Sequence, residues 1–256
     1  MRNDWIEGLR QAARTGTPWD VDPTTLACEL DEAYALQAEH LRQVLAERDD
    51  AVVGAKLSVT SAPALERLGL RAPLIGPILR SRHHTSGATL PRSDFMVCVV
   101  EAEVGFRLGR DIEGSLSREE LLAAIDTVFP AIEVADSRYA RWSEAPACAI
   151  VADLAYAGSW VRGADCANWR ELDLRALPVQ LHRDGELARE GHSSAVLGDP
   201  VEALARALAE AARHGRVLRA GTLVSTGTCT APWPLVGGGH LSADFGPLGR
   251  VELTLS

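Results

Sequence analysis

The sequence predicts an α+β protein in which a helical segment at residues 1–50 precedes a mainly β domain at residues 51–256. Three observations support this class. Apolar residues at helical spacing dominate the first segment, short β-branched runs follow it, and residues 217–256 are rich in glycine and β-forming residues. No repeat, low-complexity tract or linker interrupts the chain. We therefore expect one structural unit.

Two helices are predicted in the first segment. Leu9, Ala12 and Ala13 share one helical face until the Thr15–Pro18 stretch interrupts the pattern. A longer amphipathic run occupies residues 26–46 and gives way to four charged residues at 47–50. The change to β-branched residues directly afterwards marks the start of the β domain.

The β domain is predicted to consist of short strands and helices joined by loops. Its first part is predicted as a strand at 52–60, a short helix at 61–70, a loop-dominated stretch at 71–95 and a strand at 96–108. Ser117 and Glu120 have the spacing of a capping box, which opens a helix that runs through Ile125 and Val128 and stops before Pro130. The remaining predicted elements are a helix from Asp199-Pro200 to about His214-Gly215 and a final β segment at 250–255.

Composition excludes several classes of protein. A formal charge of −9 argues against a general nucleic-acid binder, which needs a positive surface. The sequence shows neither the apolar run of about 18 residues that a membrane helix needs nor a signal-peptide pattern. Five cysteines at irregular spacings fit free thiols in a reducing cytoplasm better than disulfides or a zinc site. We therefore expect a cytoplasmic protein without membrane or nucleic-acid partners.

One of the basic residues is a candidate for a functional role. Of 26 basic residues, Lys56 is the single lysine and all others are arginine. A chain that uses arginine wherever a positive charge suffices retains a lysine either by chance or where a compact, deprotonatable ammonium is needed. Lys56 is therefore a candidate functional residue, with a surface lysine as the alternative.

The strand at 96–108 carries two acidic residues on one face. Glu101 and Glu103 point the same way, with Cα atoms about 6.5–7 Å apart. Like charges in an otherwise apolar strand are unfavourable without a compensating cation. A hard divalent ion, Mg²⁺ or Mn²⁺, prefers such oxygen ligands. The alternative is a half-exposed strand with two solvated glutamates.

A third carboxylate is available in the apolar stretch that follows the predicted helix. Glu133 and Asp136 interrupt this stretch. Either can supply a further metal ligand, whereas the alternative is a turn acid and an ion pair between Asp136 and Arg138. The sequence offers no Cys/His cluster for a softer metal.

Several motifs together resemble one known family. They occur in the family's order at residues 54–60 (GAKLSVT), 101–111 (EAEVGFRLGRD), 130–138 (PAIEVADSR) and 221–227 (GTLVSTG). This ordered set is similar to that of the 2-keto-4-pentenoate hydratase/4-oxalocrotonate decarboxylase family, within the fumarylacetoacetate hydrolase superfamily. Residues 31–37 and 195–200 extend the resemblance over nearly the whole chain.

The resemblance implies a fold, a metal and a reaction. The fold is a mixed β-roll with a helical N-terminal part, so that residues 51–256 form the catalytic domain. The implied metal ligands are Glu101, Glu103 and Glu133, for Mg²⁺ or Mn²⁺, and the implied active-site lysine is Lys56. The family acts on 2-keto acids formed during the degradation of aromatic compounds. Their carboxylate and keto oxygens can chelate an ion that acts as Lewis acid.

The chain departs from the family at several positions. Leu74 stands where hydratases of this type tend to carry aspartate, and the decarboxylase branch tolerates an aliphatic residue there. Leu154 and Tyr156 replace an amide and a hydroxyl residue, and Asp199 replaces a histidine. The metal ligands and the lysine that the resemblance implies are retained. The departures therefore predict an altered substrate pocket around an unchanged metal site.

The resulting prediction is a divalent-metal-dependent lyase that decarboxylates an unsaturated 2-keto acid through a metal-stabilised dienolate. One alternative is hydratase-like addition of water. Another is a catalytically altered partner subunit, or a biosynthetic enzyme with a different substrate. We expect a homo-oligomer, with a complex with a related hydratase or decarboxylase as a further option. The predicted substrate-site residues are Ser58, Leu74, Leu154, Tyr156 and Thr226.

Overall fold

The computed structural model describes residues 2–26, 28–213 and 217–256. Within these residues the α-helices are α1 (Arg2–Thr15), α2 (Leu30–Arg48), α3 (Ala62–Arg67), α4 (Arg118–Ala124), α5 (Ala147–Ala152) and α6 (Pro200–Arg213). The strands are β1 (Val52–Ser58), β2 (Leu74–Leu79), β3 (His83–Thr85), β4 (Ala88–Leu90), β5 (Val99–Leu108), β6 (Ile125–Ala135), β7 (Ser159–Arg162), β8 (Pro178–Arg183), β9 (Glu186–His192), β10 (Leu223–Thr228), β11 (Trp233–Pro234), β12 (Gly239–Asp244) and β13 (Arg250–Leu255). None of the helices described is long and apolar enough to span a bilayer.

The strands form two mixed sheets. The larger sheet has the order β2-β1-β10-β5-β6-β7-β3, and β11 pairs with β5. In it β1 runs parallel to β10, whereas β5 is antiparallel to both β10 and β6. The smaller sheet has the order β4-β13-β12-β8-β9. This architecture confirms the predicted α+β class with a mixed β-rich domain.

The largest core cluster joins the two sheets. Val104 and Phe106 of β5 are fully buried and belong to the same cluster as Val251 and Leu253 of β13. Helix α6 covers this core through an apolar face that includes Leu204. Eight of the ten residues of β5 are buried, and a polar side chain at one of these buried positions must find its partners inside the protein.

The N-terminal helices are joined to the β domain by buried polar contacts. The Gln37 amide donates to the backbone carbonyls of Ile75 and Val151, at 2.9 and 3.1 Å. Tyr34 Oη accepts a bond from the Ile75 amide, and His40 Nδ1 donates to the Ala152 carbonyl at 2.9 Å. These bonds attach α2 to β2 and α5. The division of the chain at residue 50 stays a prediction.

Most predicted elements are present, with shifted ends. The two N-terminal helices, the strand at 52–58 and the helix at 62–67 lie where expected. The capping box is also confirmed, since Ser117 Oγ accepts from the Glu120 amide and the Glu120 carboxylate accepts from the Ser117 amide. The predicted end of α6 near His214-Gly215 lies outside the described residues.

Two predictions are wrong. Residues 71–95 contain strands β2, β3 and β4 rather than loops alone. Gly76 and Pro77 suggest a loop, but β2 is an edge strand that tolerates proline, and a Cβ at Gly76 would lie 2.4 Å from the Leu154 carbonyl. The helix after Ser117 ends at Ala124, and Pro130 lies inside β6. The β-branched and aromatic residues from Ile125 to Phe129 favour the strand.

Candidate active site

Strands β1, β5 and β6 of the larger sheet carry the predicted lysine and acidic residues and bring them together. Glu101 on β5 is the register partner of Glu133 on β6, and Glu103 lies two residues further along β5. Lys56 on β1 is the register partner of Ser225 on β10, which lies between β1 and β5. The alternation of side chains along a strand therefore places Glu101 and Glu103 on one face, as the sequence predicts.

The four charged groups form a buried cluster. Lys56 Nζ lies 2.7 Å from Glu133 Oε1, and both side chains are almost completely buried. Oxygens of Glu101, Glu103 and Glu133 all lie within 4.8 Å of one another. Glu103 is fully buried and Glu101 partly so, which argues against the alternative of two solvated glutamates on a half-exposed strand.

Two further side chains orient Glu103. Trp160 Nε1 donates to Glu103 Oε2 at 3.0 Å, and the hydroxyl of Ser225 donates to the same oxygen. Glu103 Oε1 and Glu133 Oε2 are buried and have no hydrogen-bond partner among the described residues. A buried carboxylate oxygen without a partner is costly. Each of these two carboxylates therefore has one satisfied oxygen and one oxygen left for a ligand.

Burial and mutual repulsion shift the titration of the cluster. Burial first, and then the charge of Glu133, raises the pKa of Glu101 to about 7, although Lys56 opposes the shift. The pKa of Glu103 is raised for the same reasons, and that of Glu133 is raised by burial against the opposing effect of Lys56. Burial alone would lower the pKa of Lys56, but the three carboxylates together raise it. The cluster thus has more negative groups than Lys56 can neutralise.

The residues present fit a divalent ion with oxygen ligands. Three converging carboxylates are typical of Mg²⁺ or Mn²⁺ sites, and two of them have unpartnered buried oxygens within the described part of the chain. An ion here would satisfy these oxygens and compensate the excess negative charge.

A cavity of about 190 Å³ opens beside this cluster. Its lining includes Lys56, Ser58, Glu101 and Tyr156 of the predicted site residues. Apolar side chains of Val97, Val99, Trp142 and Ile150 form much of its wall. A second cavity of about 420 Å³ shares Ser58 and Glu101, so Glu101 lies between the two.

The remaining predicted substrate-site residues lie elsewhere. Leu74 is the register partner of Ser58, which lines the cavity. The side chain of Leu74, however, is buried in the hydrophobic core cluster that includes residues of α1 and α2. Leu154 lines a separate cavity of about 90 Å³. Thr226 is fully buried, and its Oγ1 donates to the Val104 carbonyl at 2.8 Å. None of the three is part of the described lining of the 190 Å³ cavity.

The alternative considered for Asp136, an ion pair with Arg138, is not found among the described residues. Asp136 accepts a hydrogen bond from the Val97 amide at 2.7 Å and lines the cavity. Arg138 is paired with Asp153, whose carboxylate also accepts bonds from the Arg138 amide and from Ser137 Oγ. Burial raises the pKa of Asp153 to about 6 against the opposing effect of Arg138.

The altered segment around Tyr156 has an unusual backbone. Leu154, Ala155 and Tyr156 have φ values of 54°, 54° and 62°. Consecutive non-glycine residues in the left-handed region are strained by about 1–2 kcal/mol each. Tyr156 Oη donates to the Trp142 carbonyl at 2.8 Å, and the two rings meet edge to face. This turn directs Tyr156 into the cavity wall.

Three residues of the site are not identified by the sequence patterns: Ser225, Trp160 and Arg67. Ser225 lies in the motif at 221–227, where the sequence predicts Thr226 as the contact with the site. Neighbouring residues on β10 point to opposite faces of the sheet, and this alternation is the signal that could have distinguished Ser225 from Thr226. Trp160 is the register partner of Glu133, a pairing between distant segments without a local sequence signature. Arg67 lines the cavity from the last turn of α3.

A buried lysine beside three converging carboxylates, with Lys56 and Glu101 lining a cavity, is the arrangement of a metal-dependent active site. The chain belongs to the fumarylacetoacetate hydrolase family, because residues 76–256 match the family described as "Fumarylacetoacetate (FAA) hydrolase C-terminal". The predicted family is therefore confirmed.

Its relatives carry two activities. The chain is 33% identical over 229 residues to a 2-keto-4-pentenoate hydratase of Paraburkholderia xenovorans, covering 89% of this chain and 84% of the relative. It is 30% identical over 222 residues to a 4-oxalocrotonate decarboxylase of Pseudomonas putida, covering 86% and 83%. The solved 4-oxalocrotonate decarboxylase from Pseudomonas putida G7, complexed with magnesium and adipate, matches with a TM-score of 0.89 and 26% identity over 100% of this chain and 98% of that chain. The same decarboxylase has also been solved with calcium and acetate.

Proposed function

We propose that the chain is a divalent-metal-dependent lyase that decarboxylates an unsaturated 2-keto acid. The observation that carries the proposal is the cluster of Glu101, Glu103, Glu133 and Lys56 beside the 190 Å³ cavity. Solved relatives contain magnesium or calcium, and relatives of both the decarboxylase and hydratase type are known. Mg²⁺ is the proposed ion, with Mn²⁺ as a second that suits the same ligands.

Each residue of the cluster has a defined task in this proposal. Glu101, Glu103 and Glu133 hold the ion, and Trp160 and Ser225 fix the orientation of the Glu103 carboxylate. Bound there, a divalent ion supplies Lewis acidity toward the keto and carboxylate oxygens of a 2-keto acid.

Lys56 is the proposed proton donor. In decarboxylation the bond to the distal carboxylate breaks and CO₂ leaves. The electron pair of that bond moves through the conjugated chain to the 2-keto oxygen, which then takes a proton. The side chain of Lys56 lines the cavity, and its Nζ lies 2.7 Å from Glu133 Oε1. It can therefore hydrogen-bond the developing oxyanion and supply the proton.

The choice of decarboxylation over hydration rests on Leu74, which stands where hydratases of this type tend to carry an aspartate. Leu74 is the register partner of Ser58 and lies outside the lining of the 190 Å³ cavity, so it supplies no carboxylate that would activate water there. The hydratase relative, at 33% identity, keeps addition of water as the second candidate.

Two substrates separate these reactions. Purified protein with Mg²⁺ is assayed with 4-oxalocrotonate and, separately, with 2-hydroxypenta-2,4-dienoate. Release of CO₂ from the first substrate supports the proposal. Addition of water to the second without release of CO₂ from the first would overturn it in favour of the hydratase.

A non-catalytic partner subunit is the remaining alternative. The altered Leu74, Leu154 and Tyr156 motivate it. We also propose that the chain forms homo-oligomers, with a complex with a related hydratase or decarboxylase as a further option. Titration with Mg²⁺ separates the two ideas, because an enzyme of the proposed type binds the ion stoichiometrically. We also propose a cytoplasmic location, which the irregular spacing of the five cysteines, atypical of a disulfide framework, supports.

A further inference from the structure

The 190 Å³ cavity has a second positive group besides Lys56. Arg67 lies at the end of α3, and its Nη1 donates a long hydrogen bond of 3.4 Å to the Ser143 carbonyl. Arg67 is exposed, and no ion pair of its side chain is found among the described residues. A guanidinium has five N–H donors, so most of those of Arg67 are free for a ligand.

Arg67 is joined by contacts to one part of the cavity lining. It donates to the Ser143 carbonyl, and the Tyr156 hydroxyl donates to the carbonyl of the adjacent Trp142. All four residues belong to the lining, as do Lys56 and Glu101 of the acidic cluster. Arg67, Ser143, Trp142 and Tyr156 therefore form one group of lining residues, and the acidic cluster supplies another.

The other charged group of the cavity does not neutralise Arg67. Asp136 also lines the cavity, but its Oδ1 accepts hydrogen bonds from the Val97 and Cys98 amides, at 2.7 and 3.4 Å. This attaches Asp136 to the start of β5, and it has no ion pair with Arg67 in the described part of the chain. The unpaired charge of Arg67 is thus available to a bound anion.

We propose that Arg67 is the specificity-determining residue that binds the distal carboxylate of a dicarboxylic 2-keto acid. This inference rests on the proposed function, which places the 2-keto acid end of the substrate at the acidic cluster. The distal carboxylate then reaches the group of lining residues that includes Arg67 and Ser143. A guanidinium suits this task, because its planar donors match a carboxylate in two parallel hydrogen bonds. A substrate with an apolar distal end gains nothing from Arg67.

A matched pair of unreactive probes tests the inference by binding rather than by turnover. 2-Oxohexanedioate and 2-oxohexanoate share the 2-keto acid end and the chain length, and differ in a distal carboxylate or methyl group. Their affinities are measured by calorimetry on the Mg²⁺-loaded protein. We expect the dicarboxylate to bind roughly 10- to 100-fold more tightly than the monocarboxylate, as for a charge-assisted hydrogen bond.

Variants of Arg67 identify the source of this preference. Arg67→Gln should bring the two affinities within about 3-fold of each other by weakening only the dicarboxylate, and Arg67→Lys should restore part of the difference. Arg71→Gln, a nearby exposed arginine outside the cavity lining, should leave the ratio unchanged.

The outcomes distinguish this inference from the proposed function. Equal binding of the two probes to the unmodified protein, or an unchanged ratio in Arg67→Gln, overturns the role of Arg67 while the function stands. If neither probe binds the Mg²⁺-loaded protein, the proposed function fails and this inference fails with it.

Discussion

Replacement of Lys56 by methionine tests the charge balance of the site most sharply. Methionine keeps much of the length of the side chain but removes its charge. Lys56 Nζ lies 2.7 Å from Glu133 Oε1, and the two side chains are only 4% and 3% exposed. The substitution therefore leaves Glu133 as a buried carboxylate without its counterion, next to two further glutamates.

The expected loss of stability follows from this burial. Removal of one partner of a buried ion pair costs about 3–5 kcal/mol. The burial that already raises the pKa of Glu133 would raise it further without Lys56, so part of the cost is avoided when the group takes up a proton. The deficit should therefore be largest at pH values where the carboxylate stays ionised, and Mg²⁺ should reduce it because the ion supplies positive charge to the same cluster.

Urea unfolding measures this deficit. We expect Lys56→Met to lower the free energy of unfolding by about 3–5 kcal/mol at about pH 8 in EDTA, and by less with saturating Mg²⁺. The double variant Lys56→Met/Glu133→Gln should recover much of the loss. Arg206→Met is the control for an exposed ion pair, because Arg206 and its partner Glu202 are 44% and 43% exposed; its cost should stay below about 1 kcal/mol.

Two results would refute this reasoning. A loss in Lys56→Met no larger than that of the Arg206 control would mean that the buried pair does not stabilise the fold. Normal turnover of Lys56→Met with Mg²⁺ would remove Lys56 from the chemistry, whatever its effect on stability.

Three further predictions concern other parts of the structure. Glu103→Gln should weaken Mg²⁺ binding by at least about 10-fold in calorimetry and abolish turnover with the fold intact, and normal affinity would exclude Glu103 as a ligand. Burial lowers the pKa of His40 from 6.5 to about 4, so only the unfolded chain binds this proton between these values. Stability should therefore fall by about 3 kcal/mol as the pH falls through that range, and His40→Gln should flatten this dependence in urea unfolding; an unchanged slope would contradict the assignment. Gly227→Ala should cost roughly 2–3 kcal/mol, because its φ is +94° and the new Cβ would lie 2.0 Å from Thr60 Oγ1. Gly221→Ala, with φ +82° and open space, is the control that carries the backbone strain alone, and equal losses would mean that the clash contributes nothing.

Short-range patterns are sufficient to predict much of this molecule. Strand alternation places Glu101 and Glu103 on one face, and the retention of a single lysine among the basic residues identifies Lys56 as a functional candidate. The capping box at Ser117 also marks the start of α4 correctly. The alternation and the capping box depend on residues close in sequence, where backbone geometry alone determines which side chains meet.

Features that depend on long-range register could not be predicted in this way. Trp160 reaches Glu103 because β7 pairs with β6, and Ser225 reaches it because β10 lies between β1 and β5. No local pattern encodes these neighbours. The left-handed turn that ends at Tyr156 also contradicts the preference of its non-glycine residues, and surrounding tertiary contacts hold it.

Asp199 shows how one departure from the family has a structural explanation. Its carboxylate accepts a hydrogen bond from the Val201 amide at the start of α6 and pairs with Arg118 at 2.7 Å. An acidic residue at this position stabilises the helix N-terminus. The substitution therefore acts on the attachment of α6 to α4 and implies no change in the chemistry of the cavity.

The central claim is that three carboxylates hold one divalent ion beside Lys56. Anomalous diffraction from crystals grown with Mn²⁺ and oxalate, a chelator that resembles the 2-keto acid end of the substrate, tests it most directly. We expect one anomalous peak, with oxygens of Glu101, Glu103 and Glu133 within about 2–2.5 Å and oxalate bound to the same ion. A peak elsewhere, or an intact acidic cluster without an ion at saturating Mn²⁺, would contradict it.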